Sequence, residues 1–508
     1  MAATLYRGGR VYSPADPHAT ALLTDDDRIV WVGADDDCPR TPDETVELAG
    51  ALVTPAFVDA HAHVTDTGLA LVALDLTAVR SAGELLDAVS AYAAGLPAGA
   101  LIFGQGWDES TWPDPAKPTL PQLERAAGGR PAFLSQISGH SALCTGALTA
   151  LVPDLAQVPG YDPGGWHTID AQDVLRAAAL GALDDTTRHA AQHAALARAA
   201  ALGIACLHEC GGPATSSETD FTELLALDGS YPEIVGYWGE VGAAAKVREW
   251  GAAGAAGDLY ADGALGSQDA HLTEPYADAG GCGHAYLSAE QVAAHIVDCT
   301  SHGVQGGMHA IGDAAIGTVL AGFAAAAEVL GIDRIRDARH RVEHVEILDK
   351  RLIAGLVEYG LTASVQPAFD RLWGGAGQMY QTRLGLERSL ASNPFGSLAG
   401  VGVPLAFGSD SPVTPLDPWG TVRAAVAHHN PAQRLTVRTA FAAHTRGGWR
   451  AARRDDAGLL APGAPATLAV FDVADRLVGG LPELADDAPL PRCVRTVRDG
   501  VTIFRDDT

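Results

Sequence analysis

Positive charge is scarce in this chain, and the usual marks of export, membrane insertion or a disulfide scaffold are missing. Only 34 Lys and Arg stand against 62 Asp and Glu among 508 residues, a formal net charge of −28. A surface of that sign repels phosphate backbones and anionic membranes, so no nucleic-acid or membrane partner is expected and a small-molecule substrate is favoured. Diffuse acidity also keeps a large enzyme in solution. The opening Met-Ala-Ala-Thr-Leu-Tyr-Arg-Gly-Gly-Arg lacks the apolar core of a secretory signal. No stretch reaches the ~18 uninterrupted apolar residues of a membrane span, because the Ala-rich segments carry charges throughout. Cys38, Cys144, Cys206, Cys210, Cys282, Cys299 and Cys493 form no Cys-X-X-Cys pair, and their odd number suits reduced thiols, hence a cytoplasmic location. Internal repeats, low-complexity tracts, Walker loops and dinucleotide fingerprints are also lacking.

What is present is alternation. Residues 1–53 and 459–508 read as short strands broken by Asp- and Gly-rich turns, such as Ala466-Thr-Leu-Ala-Val-Phe-Asp472. Two β-rich ends around a long middle imply a small β-sandwich built from both, with the main domain, 54–458, inserted between them. The middle alternates apolar strands with Ala/Leu/Glu-rich helices, the pattern of βα units on a parallel sheet. Strands are read at Ala51–Ala60, Gly203–Glu209, Glu233–Gly239, Asp258–Gly263, Gly306–Gly312, Arg339–Val345, Leu361–Gln366 and Pro404–Asp410. Helices are read at 184–202, 289–302, 313–330, 349–359 and 418–427. Eight units specify a closed (β/α)8 barrel of the TIM type, with its active site at the strand C-terminal ends. The interval from about 65 to 185 is too long for a structureless loop and is read as an inserted α/β subdomain.

Polar residues end several of these strands. The first closes on Asp59-Ala-His61-Ala-His63, where alternation places all three on one face and two imidazoles are spaced to chelate one divalent ion. The fifth ends in His309-Ala-Ile-Gly-Asp313, the sixth in Arg-Val-Glu343-His344-Val-Glu346, the eighth in Ser409-Asp410-Ser411-Pro412. A charged or imidazole group closing an apolar strand is costly to bury without a partner. Taken singly, each is as readily a hydrogen-bonded His or a helix-capping Asp. As a set in strand order they point to a metal centre, and mixed N/O donors suit Zn2+ first, Mn2+ or Fe2+ next.

These segments resemble the amidohydrolase superfamily, in particular the branch of YtcJ-like proteins and the N-substituted formamide deformylase. The likeness runs nearly end to end through Thr54-Pro-Ala-Phe-Val-Asp-Ala-His-Ala-His63, Gly106-Trp107-Asp108, Ser138-Gly139-His140, Asp262-Gly-Ala-Leu-Gly-Ser267, His309-Ala-Ile-Gly-Asp313, Val342-Glu-His344, Ser364-Val-Gln-Pro367 and Gly408-Ser-Asp410-Ser-Pro412. It implies that His61 and His63 hold the more buried metal, that His309 and His344 hold a second position, and that Asp410 is both ligand and general base. One departure bears on metal count. The branch carries a lysine, carboxylated to bridge two metals, four residues before the Asp-Gly motif; here that position is Asp258. Asp258 either bridges two ions with a shorter stem or stands behind a single one.

His140 is a further catalytic and substrate-contacting candidate, a donor toward the oxyanion, and a loop-stabilising role competes with that. Trp107 could wall an apolar substrate pocket, although a buried loop anchor is the simpler reading for it and Trp112. Gln366 faces the mouth in the same reading, and His208 orients a ligand from behind. The implied reaction is hydrolysis of a C–N amide-type bond, other than a peptide bond, in an N-formyl or N-acyl amine. Opening of a cyclic amide or deamination of a heterocycle needs the same constellation. A barrel that binds a ligand without turnover is the competing class, and the absent lysine is its only support. Homo-oligomers are common among such barrels, yet no interface stripe stands out.

Overall fold

The computed structural model describes residues 3–109, 112–136, 141–213, 215–473 and 476–506. It resolves into two compact units, one of Met1–His63, Leu196–Pro213 and Phe221–Thr508, the other of Val64–Ala195 and Ala214–Asp220.

The first unit holds an eight-stranded parallel sheet, whose strands we number β1 (Phe57–Ala62), β2 (Ile204–Gly211), β3 (Glu233–Trp238), β4 (Gly254–Ala255), β5 (Gln305–Ala310), β6 (Arg341–His344), β7 (Thr362–Val365) and β8 (Leu405–Phe407). They lie in sequence order. The circle closes just past β8, where Asp410 N–H donates to the His61 carbonyl at 2.8 Å and His63 N–H to the Ser411 carbonyl at 2.9 Å. Every residue of β1, β2, β5 and β6 is buried, as expected of strands covered on both faces. The fold is therefore the α/β barrel that the sequence pattern specifies, carrying additional sheets.

Helices follow the strands with local reasons for their limits. Ala289–His302 begins with a Ser288/Gln291 capping box and stops at Gly303 in the left-handed region. Lys350–Tyr359 is capped by the Asp349 carboxylate, which accepts from Leu352 N–H, and stops at Gly360. Asp313–Leu330 is long and apolar enough to cross a membrane by length and composition alone, although Asp313 and Glu328 interrupt its apolar run. Its apolarity has another use here, since Ile316, Val319, Leu320 and Phe323 are buried within the barrel unit.

One strand lies elsewhere than its sequence suggests. Asp258–Gly263 is not β4; the strand is Gly254–Ala255, two small residues of weak strand character. Gly257, at φ +77°, then turns the chain. Asp258–Gly263 runs on beside β5 through a single bridge, Tyr260 to His309. A β-carbon at Gly257 would come within 3.1 Å of the Cys210 backbone, so the turn belongs to glycine on space as well as on φ.

Two further sheets complete this unit. Ala3–Arg7, Ala21–Asp25, Arg28–Gly33 and Glu44–Glu47 form one; Arg10–Val11, Leu52–Pro55, Leu468–Asp472, Arg492–Arg498 and Val501–Arg505 form the other. Leu468–Asp472 pairs antiparallel with Leu52–Pro55, so both ends of the chain enter one sheet. Leu22, Ile29 and Tyr6 from the first sheet share a core with Val53, Val470 and Val497 from the second.

The second unit has its own sheet, Leu74–Asp75, Ile102–Trp107, Ala132–Gln136, Ser141–Cys144 and Trp166–Thr168, packed with helices that include Ala82–Ala94 and Leu120–Ala127. All seven cysteines are free thiols.

Candidate metal centre

The site is built at the C-terminal ends of the barrel strands. β1 delivers His61 and His63, β5 delivers His309, and β6 delivers His344. Asp258 arrives from the turn after β4, and Asp410 from just beyond β8. Two of these residues depend on unusual backbone. Asp410 has φ +56° and His344 φ +69°, in a region that non-glycine residues seldom adopt. At β6 the consequence is specific: neighbours on a regular strand face opposite ways, yet the Glu343 and His344 side chains both reach this site.

Asp258 is the hub. Its Oδ1 lies 3.4 Å from His61 Nε2, 3.5 Å from His309 Nδ1 and 3.8 Å from His344 Nε2, and its Oδ2 lies 3.2 Å from His63 Nε2. Asp410 Oδ1 faces the other side, 3.1 Å from His63 Nε2 and 3.5 Å from His61 Nε2. Burial alone would raise the Asp258 carboxyl; the imidazoles of His61, His309 and His344 instead hold it well below its ordinary value. Asp410 follows the same logic, with burial opposed by His61 and His63 and the net direction downward. Both are anionic carboxylates in a buried cluster.

The ring protons are fixed from behind. His61 Nδ1 donates to Glu343 Oε2 at 2.9 Å, His344 Nδ1 to Gln366 Oε1 at 2.8 Å, and His309 Nε2 to the Gly263 carbonyl at 3.3 Å. Each acceptor can only accept, so in the neutral ring the opposite nitrogen carries the lone pair. Those nitrogens, His61 Nε2, His309 Nδ1 and His344 Nε2, are buried together with Asp258 Oδ1, and none has a hydrogen-bond partner among the described residues. Four orphaned donor atoms converging on one point are expensive to leave so, and a divalent cation satisfies all of them at once. The triads His61–Asp258–His344 and His61–His63–Asp410 each bring their ligand atoms within 4.8 Å of one another, the reach of a single ion. The residues present fit a metal.

A family profile described as the amidohydrolase family matches residues 44–504. The chain belongs to the amidohydrolase family. It is 26% identical over 422 residues to the protein YtcJ of Bacillus subtilis, covering 75% of this chain and 74% of that one. It is 26% identical over 153 residues to the N-substituted formamide deformylase of Arthrobacter pascens, covering 29% of this chain and 28% of that one. Among solved structures, a metal-dependent hydrolase of Pyrococcus furiosus superposes with a TM-score of 0.79 at 24% identity, covering 92% of this chain and 98% of that chain. That last likeness is one of fold.

Of the positions singled out in the sequence of this amidohydrolase, His61, His63, Asp258, His309, His344, Gln366 and Asp410 come together. Asp59 does not join them; its carboxylate accepts from Ser409 N–H at 2.9 Å and so ties β1 to the chain beyond β8. Of the two readings of Trp107, the pocket wall does not fit and the buried anchor does: it is fully buried in the second unit, its indole N–H given to the Leu134 carbonyl at 3.0 Å. His140 lies outside the described residues. His208 is buried with Nδ1 3.0 Å from Arg341 Nη1. Sequence reasoning passed over Glu343, Arg341 and Tyr260. The Tyr260 ring sits 4.8 Å from that of His309, and its hydroxyl donates to Asp258 Oδ2 at 3.3 Å. A signal existed for Glu343 in its position beside His344, where it forms part of the strand-end motif but is given no role.

Proposed function

We propose that this chain is a metal-dependent hydrolase that cleaves a C–N amide-type bond, with an N-formyl or N-acyl amine as substrate. The convergence of three orphaned imidazole nitrogens on Asp258 Oδ1 carries the metal half of the reading. Family membership and the likeness to the formamide deformylase support the substrate half. His61, His63, His309, His344, Asp258 and Asp410 would hold the metal, with Zn2+ the best match to this donor set. Asp258, whose two oxygens face different imidazoles, is suited to be shared between two ions. A bound divalent ion would lower the pKa of water from 15.7 to about 7 and polarise the scissile carbonyl.

The protein's own part is proton handling and placement. Asp410, anionic and beside His63, accepts the proton of the attacking water and returns it to the leaving nitrogen. Gln366 spends its oxygen on His344, and its buried Nε2, without a partner among the described residues, is the spare N–H donor for a developing oxyanion.

Dialysis against a chelator should abolish hydrolysis of a panel of formanilides and N-acyl amines, and added Zn2+ should restore it. Asp410→Asn should lower kcat by about 10^2- to 10^4-fold. Hydrolysis indifferent to the chelator, or Zn2+-loaded protein that turns over no amide or ester, would overturn the proposal.

A further inference from the structure

Behind His61 lies a buried ion pair that the reaction itself does not call for. Glu343 and Arg341 are both fully buried inside the barrel. Arg341 Nε donates to Glu343 Oε1 at 2.5 Å and Nη2 to Oε2 at 2.9 Å, a bidentate fork. The same Oε2 takes the His61 Nδ1 proton. Arg341 reaches further acceptors as well: Nη2 the Ala60 carbonyl at 2.6 Å and Ser364 Oγ at 2.9 Å, and Nη1 His208 Nδ1 at 3.0 Å. The Tyr237 ring lies 4.2 Å from the guanidinium carbon. One side chain on β6 thus touches β1, β2, β3 and β7.

A buried ion pair is a poor source of stability, because desolvating two charges offsets their attraction and apolar residues of equal volume do as well. Its position suggests another use. His344 and His309 are held at the rear by neutral acceptors, an amide oxygen and a backbone carbonyl. Of these three, among the described residues, His61 is the one with a carboxylate at hydrogen-bonding distance behind it, the nearest to His309 Nε2 being Asp262 at 4.0 Å, and the carboxylate behind His61 is itself clamped. A hydrogen bond to an anion is roughly twice as strong as one to a neutral group, and it makes the far nitrogen of the ring a better donor.

From this geometry we infer that the Arg341–Glu343 pair is a positioning device for His61, locking its ring with Nε2 forward and making it the dominant imidazole ligand of the centre. The inference rests on the proposed metal site. Arg341 fixes Glu343 against the barrel wall, Glu343 fixes the ring, and neither touches substrate.

The test uses Zn2+ and the full chain. Glu343→Gln should raise the Zn2+ dissociation constant, measured by chelator competition, about 10- to 100-fold. Because that variant strands the Arg341 charge, Arg341→Met/Glu343→Gln is measured beside it; it should fold and show the same loss. In Zn2+-loaded wild type with 15N-labelled histidine, the His61 Nδ1–H resonance, assigned by its loss in His61→Ala, should exchange slowly with solvent. It should shift or broaden in the variants while the His344 Nδ1–H resonance stays in place, which a merely structural role would not produce. Zn2+ affinity within twofold of wild type in a folded variant overturns the inference. So does a wild-type His61 without a protected Nδ1–H, a reading available even if both variants fail to fold. If wild type takes up no Zn2+, the metal site itself is lost and this inference with it.

Discussion

Asp258 stands where the resemblance leads one to expect a lysine, and its short stem still reaches all four imidazoles. The turn at Gly257 makes up the difference by bringing the backbone toward them, so the carboxylate needs no long arm. If Asp258 is shared between the two sides of the centre, removing its charge should weaken both together. Asp258→Asn is expected to lower Zn2+ affinity more than about 100-fold, beyond the usual effect of a residue standing behind the ligands. Metal content after gel filtration reads this directly; near-stoichiometric Zn2+ in the variant would leave Asp258 outside the ligand set. The histidines and Asp410 were legible because each ends an apolar strand. Glu343 was not: it lies inward with Arg341, two residues back on β6, and His344 joins it only through a left-handed backbone that no local pattern announces.

Among the elements, helices were the easiest to place, and the reason is physical. Ser288 with Gln291, Asp349, and the stops at Gly303 and Gly360 are caps written in the sequence. β4 was misplaced because two small residues carry no hydrophobic signature, while the more apolar Leu259-Tyr260-Ala261 behind them does. Trp107 was visible as an aromatic in a Gly-rich loop, but nothing in that spacing distinguishes a pocket wall from a core anchor. The Gly257 turn yields the prediction proper to this scale. Gly257→Ala meets both a positive φ and the Cys210 backbone, so it should destabilise the protein by about 1–3 kcal/mol. It should also displace Asp258 and reduce Zn2+ affinity. Urea unfolding of metal-free protein beside chelator competition separates the two effects; unchanged stability would show that the turn tolerates a side chain.

For the whole molecule, the barrel wall carries its own acid sensitivity, separate from the metal centre. Burial pushes His444 down to about 4 and His340 down to about 3, against about 6.5 in an unfolded chain. Between those values the unfolded chain binds more protons than the folded one, so stability is fully present above pH 6.5 and falls as the pH drops toward 4. The slope approaches about 1.4 kcal/mol per pH unit for each histidine. In urea unfolding of metal-free protein from pH 7.5 to 5, the difference between wild type and His444→Gln should carry this decline, the variant being less stable at neutral pH and losing less as the pH falls. A slope unchanged by that variant would exclude His444 as a source.

The pairing of Leu52–Pro55 with Leu468–Asp472 bears on how the molecule comes into being. On a ribosome the earlier strand emerges more than four hundred residues before its partner, and it leads straight into the strand that bears His61 and His63. Until residues 468–472 have been made that edge lacks this neighbour, and an open β edge recruits whatever strand it meets. Newly made chains, and fragments that stop short of residue 468, therefore carry an adhesive edge that the finished protein conceals.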